Sequence, residues 1–221
     1  MPLRPGSLSW VCEKLGEFDN TEVTPQPPNA LILQVDEKPP LRSVVINERQ
    51  VSIAVVKDSL KQDHEFVMNV TGFGKAVWSG EAIDFCEIHG LGWGSMGDLY
   101  RAARDEDPTR APKQFEFATR MIKQHKNVSN AVRLNDSAFQ LDRFKGTPLT
   151  VGLCHAYELT SDDVRTAWER HGPFQILFDT NPNGGFTTEA LETAEQLGVF
   201  VGKARQIVRR LFDPAAPDSS T

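Results

Sequence analysis

The sequence predicts an α/β protein: a C-terminal mixed sheet flanked by helices, joined to a smaller β-rich N-terminal region. Three observations carry this expectation. In the C-terminal half, apolar β-branched runs alternate with amphipathic helical periods, the pattern of strands covered by helices. In the N-terminal half, short β-branched runs stand between proline turns. Between the halves, the polar stretch from Asp105 to Pro112 reads as a linker. The expected divisions are therefore 1–108, 109–213 and a disordered tail, 214–221.

The elements follow in order. Ser7 caps a short helix over 7–16 that Gly16 ends. Strands are expected at Ala30–Val35, at Val44–Ile46 and over Gln50–Lys57, the last for its β-branched content, with a fourth leading from Glu65 into a glycine loop. Ser79 and Gly90 bracket one helix, and a second follows Ser95. The later half opens with a helix whose Phe115, Ala118, Met121 and Ile122 share a face. A hairpin turning at Asn135-Asp136-Ser137 follows, then one long strand through "TPLTVGLCHAYEL". "TSDDVRTAWERHG" is a capped helix. The strand "FQILFD", the loop "TNPNGG", the helix "TTEALETAEQLG", the strand "VFV" and a basic helix complete the order. Its two late strand–helix repeats require a partly parallel sheet.

The 221 residues, 39% hydrophobic and 24% charged, suit a globular chain. No run approaches the roughly 18 apolar residues of a membrane helix. The first residues lack a secretory apolar core, so a cytoplasmic protein without a membrane partner is expected. Cys12, Cys86 and Cys154 are too few and too scattered for a disulfide framework. Cys86 and His89 have no second ligand pair at finger-type spacing. Cys154 and His155 are chain neighbours that a strand turns to opposite faces. A net charge of −6 disfavours non-specific coating of nucleic acid. Lys203, Arg205, Arg209 and Arg210 nevertheless form an acid-free basic run. It reads either as a nucleic-acid-binding face or as a solvated one.

"GFTTEALETAEQLGVFV", preceded by a strand and loop, resembles the end of the restriction-endonuclease-like (PD-(D/E)xK) fold, and of its Mrr-type members in particular. The order of elements over residues 112–211 is similar as well. The resemblance implies a defence- or mobile-element-type nuclease using Mg2+ or Mn2+. It places Asp142 as a catalytic metal ligand near the end of the second strand, with Glu116 available from the helix. The third strand departs from the family, offering His155 and Glu158 but no acid-x-lysine. The corresponding alternative is a nuclease fold retained for docking a protein or sensing a nucleotide. Further upstream, "ALILQVDEKP" resembles the segment around the first aspartate of DDE-type insertion-sequence transposases, implying Asp36 as a metal ligand and Lys38 beside it. The other reading of Asp36 is a strand-end charge pointing to water.

Two glycine-rich stretches remain. "HGLGWGSMGD" reads as a tight connection packing Trp93 into the core, or as an aromatic lid. "NPNGG" precedes a helix capped by Thr187 or Thr188, where Glu189 and Glu192 would repel a phosphate. It is therefore expected to be a structural turn, with Gly184 and Gly185 at positive φ and with Asn181 and Asn183 offering hydrogen bonds to a partner.

Overall fold

The computed structural model describes residues 6–60, 63–71, 76–109 and 112–213, with Lys113 and Gln114 as backbone. The expected tail, 214–221, and Gly72 and Gly74 of the glycine loop lie outside the described residues. The chain forms two units, Met1–Lys113 and Gln114–Thr221, dividing a few residues beyond the expected 108/109 boundary.

In unit 1 the order is α1 (Leu8–Gly16), β1 (Thr21–Gln26), β2 (Ala30–Val35), β3 (Leu41–Ile46), β4 (Gln50–Val51) and α2 (Ile53–Ser59). It continues with β5 (Phe66–Asn69), β6 (Val77–Trp78), α3 (Gly80–Ile88), β7 (Gly92–Gly94) and α4 (Met96–Asp105). The sheet runs β1-β2-β3-β5-β7. Its first three strands are an antiparallel meander; β3, β5 and β7 are parallel. Parallel neighbours need a crossover, which α2 and α3 supply. Leu31, Leu33 and Val35 alternate onto the face that packs against Val11 and Leu15 of α1 and Leu99 and Ala102 of α4. The other face buries Val44, Val67 and Trp93 under Val56, Ile83 and Cys86 of α2 and α3. Every residue of β5 is buried, as a parallel strand covered on both sides requires.

Unit 2 follows the same plan: α5 (Lys113–Lys123), β8 (Val128–Asn135), β9 (Ala138–Arg143), β10 (Leu149–Cys154), β11 (Glu158–Leu159) and α6 (Ser161–His171). Then come β12 (Ile176–Asp179), β13 (Gly185–Phe186), α7 (Thr188–Gln196), β14 (Phe200–Gly202) and α8 (Ala204–Phe212). The sheet order is β14-β12-β10-β9-β8, again an antiparallel meander continued by parallel strands. The α5 and α8 side chains Ala118, Ile122, Ile207 and Leu211 cover Phe139, Leu141, Val151 and Phe178. Val164, Ala190 and Ala194 of α6 and α7 cover Leu177 and Val201 on the other face.

The general α/β expectation stands, and three local ones are corrected. Gln50–Lys57 is not a strand: only β4 pairs, and Ser52 then caps α2 by accepting from Val55 N at 3.3 Å. Its β-branched residues fill the core under a helix, where packing overrides propensity. The long strand through residue 159 breaks after Cys154, and β11 pairs with β13 in a separate two-stranded ladder. The N-terminal half is no lesser β-rich appendage, since helices cover both faces of its sheet. It also contains β1, an edge strand whose exposed Thr24 and Pro25 give no apolar alternation to read. Trp93 takes the core position of its two readings: it is 2% exposed and packs against Trp78 at 5.3 Å between centroids.

The α6 start illustrates how local signals hold in place. Thr160 accepts from Asp163 N while Asp163 accepts from Thr160 N, a reciprocal capping box. Thr160→Ala should lower stability by about 1 kcal/mol in denaturant melts of the full chain. An unchanged midpoint would show that α6 is held by its buried face alone.

Candidate functional site

The three parallel strands of unit 2 end on one side of the sheet, where open α/β sheets place their ligands. β10 leads there into His155, β12 ends in Asp179, and β14 leads into Lys203 at the start of α8. The Asp179 side chain is fully buried. Its Oδ1 accepts from Ala156 N at 3.2 Å and Asn181 N at 3.1 Å, and Lys203 Nζ closes a short ion pair on Oδ2. Lys203 also donates to Asn181 O at 2.6 Å and lies 5.0 Å over the Phe186 ring. A buried carboxylate is tolerable only when its charge and lone pairs are met in this way.

The loop beyond Asp179 uses its own donors. Asn181 N reaches Asp179, Asn183 N reaches Asn181 Oδ1, and Gly184 N reaches Asn181 O. Gly185 N and Thr187 N donate to the carbonyls of Tyr157 and Leu159. These five N–H groups are turned inward, so the loop is no anion nest. Thr187 is the cap of α7, accepting from Ala190 N. Neither Gly184 nor Gly185 adopts the expected positive φ. Gly184 is needed for another reason: a Cβ there would overlap Ala156 O and sit 2.8 Å from Lys203 Nζ, whereas one on Gly185 would meet nothing within 4 Å.

On this frame stand outward groups. Tyr157 is 81% exposed, and Asn183 and His155 are exposed as well. His155 Nδ1 lies 2.9 Å from Thr180 Oγ1, whose hydroxyl donates to Cys154 O. That bond fixes the ring and leaves Nε2 at the surface. In the sequence, the sign of this exposed pair is the break in the apolar run after Cys154.

The residues named from the sequence lie in different places. Asp142 is exposed on β9 and accepts from Asn130 of β8 at 3.2 Å. Glu116 is half-buried on α5. Asp36 and Lys38 belong to unit 1. Asp36 turns the chain after β2 with φ 54°, its N–H bonded to Asn20 O, and Lys38 binds Arg104 O at the end of α4. Among the described residues, no three His, Cys, Asp or Glu side chains group as a metal site would require. The basic run is divided: Lys203 is held by Asp179, Arg210 pairs with Asp213 at 2.7 Å, and Arg205 and Arg209 are exposed. Asn181 is half-buried with its carbonyl and side-chain oxygens in use, so Asn183 is the more available of the two expected partner-binding asparagines.

A second polar cluster joins the β8–β9 turn to α6. Ser137 Oγ lies 2.9 Å from Asp136 Oδ1 and 3.3 Å from His171 Nε2, and Arg170 donates to Asp136 Oδ2. The residue types are those of a hydrolase triad, but the order is wrong. The acid serves the serine rather than the far nitrogen of the imidazole, His171 Nδ1 has no partner, and Ser137 is only 3% exposed. With its hydroxyl proton given to Asp136, Ser137 accepts from a neutral His171. Burial, assisted by the Arg170 charge, pushes the His171 pKa down to about 4.

Comparison of the chain with protein-family profiles, with characterised proteins and with solved structures finds no match.

Because His171 is depressed below its ordinary 6.5, the unfolded chain binds a proton that the fold refuses. Stability should therefore fall as pH drops from about 6.5 to about 4, by up to about 3 kcal/mol, and level off below. His171→Gln should flatten that part of the pH–stability curve; an identical slope would remove His171 as its source. Gly184→Ala should cost at least about 1 kcal/mol through overpacking, while Gly185→Ala should be nearly neutral. Equal melting temperatures for the two variants would contradict the close approach at Gly184.

Proposed function

We propose that the protein is a binding module whose unit 2 recognises a protein partner at the C-terminal edge of its sheet, through Tyr157, His155 and Asn183. One observation carries this reading: the charge of Asp179 and five backbone N–H groups of the Asn181–Thr187 loop are consumed internally. Outward stand an aromatic phenol, an imidazole and an amide, with the exposed Glu158 carboxylate beside Tyr157. These groups suit a hydrogen-bonding protein partner better than a phosphate, which Glu158 would repel, and tyrosine supplies large contact area at small entropic cost. The competing reading is metal-assisted phosphodiester cleavage, with Asp142 and Glu116 holding Mg2+ or Mn2+ and Arg205 and Arg209 on the nucleic acid.

One set of measurements separates them. Purified full-length protein is incubated with plasmid, single-stranded DNA and RNA, with and without Mg2+ or Mn2+. The nucleic acids should stay intact. In parallel, cell protein retained on immobilised wild-type chain should drop about tenfold, or about 1.4 kcal/mol of affinity, on Tyr157→Ala with the melting temperature unchanged. Metal-dependent cleavage abolished by Asp142→Ala would replace the binding reading with the nuclease one. Retention indifferent to Tyr157 would remove the edge from the interface.

A further inference from the structure

The two units share more than an order of elements. Leu41 and Leu149 open the third strand of each unit 108 positions apart (149 minus 41), and each follows a proline. At that same spacing stand Ala30 and Ala138, Leu33 and Leu141, and Val56 and Val164, the leucines and valines fully buried. Glu81-Ala82 and Glu189-Ala190 begin the third helix of each unit. Gly90 and Gly198 follow it, with φ of 66° and 69°.

The backbone bonds that end the paired ladders repeat at the same spacing. Val45 N→Asn29 O recurs as Leu153 N→Ser137 O, and Val77 N→Arg49 O as Gly185 N→Tyr157 O. Ser79 N→Val51 O recurs as Thr187 N→Leu159 O. Two units that reached one topology independently would have no reason to keep these strand registers at one constant spacing along the chain.

The agreement extends to the edge described above by strand register, across a local shift of two residues. Asn69 ends β5 opposite Ile46 as Asp179 ends β12 opposite Cys154. Asn69 Oδ1 accepts from Glu48 N at 3.3 Å and Thr71 N at 3.1 Å, the counterparts of the Ala156 and Asn181 bonds to Asp179. The two differ in the second terminal atom. Asn69 Nδ2 is a donor and satisfies itself on Glu48 O at 2.8 Å. Asp179 Oδ2 is an acceptor and needs a cation, which Lys203 provides; the position matching Lys203 in unit 1 is Ser95, the cap of α4.

We infer that the chain is an internal duplication in which Asn69 and Asp179 are one organising hub, neutral in the first copy and charged in the second.

The test uses the full chain and site-resolved amide hydrogen exchange. Lys203→Ser leaves a buried carboxylate without its cation and should speed exchange at Ala156 and Asn181 at least tenfold. Adding Asp179→Asn converts the hub to the neutral form of unit 1 and should return both amides to within about threefold of wild type. A double variant no better protected than Lys203→Ser alone would overturn the shared hub. In unit 1, Asn69→Ala should speed exchange at the Glu48 and Thr71 amides at least tenfold, with Ala156 and Asn181 unchanged. Full protection at Glu48 and Thr71 in that variant would overturn Asn69 as the counterpart of Asp179.

Discussion

Leaving a parallel strand is the constraint on which both units depend. Each such strand must pass its chain to a helix on the sheet's face before the next can begin, and at that exit the backbone N–H groups lose their ladder partners. In unit 2 the exits after β10 and β12 lie side by side, and a single buried carboxylate collects an N–H from each. In unit 1 a carboxamide does the same for Glu48 and Thr71. The loops at this edge are thus ordered by the residue that ends the middle one of the three parallel strands, and the exposed groups they carry inherit that order.

The chemistry of the organiser sets what else must be present. A carboxamide brings both a donor and an acceptor, so Asn69 closes its own network. A carboxylate brings only acceptors and a charge, and burial obliges the fold to supply a cation. The charged version also draws α8 to the edge, because Lys203 is at once the counter-ion and the residue that opens that helix.

Much of the fold was legible because helix caps and apolar periodicity are local. Ser7, Ser79, Thr160 and Thr187 each cap the helix they announce. The hairpin turn at Asn135-Asp136-Ser137 and the core position of Trp93 were legible for the same reason. α2 was not, because the valines that fill its buried side are indistinguishable by composition from a strand. The edge was only half legible. The glycine loop drew the eye, but Asp179 and Lys203 are 24 residues apart, and nothing in either stretch shows that they meet. The repeat is faint in the sequence because most matched positions keep only their character. Ser52 and Thr160, or Trp78 and Phe186, correspond in role rather than in identity.

The sheet order also dictates a sequence of events during synthesis. In each unit, successive long strands are neighbours or lie one crossover apart, so the sheet can lengthen as the chain emerges. One face cannot close on that schedule. In unit 1 it is roofed by α1, which precedes the strands, together with α4, which follows them. Leu31, Leu33 and Val35 therefore stay half-covered until α4 arrives, and the same holds for Phe139 and Leu141 until α8 arrives in unit 2. The nascent chain has two intervals of apolar exposure, one per unit, each ended by a helix. These are the intervals in which a chaperone would have something to hold.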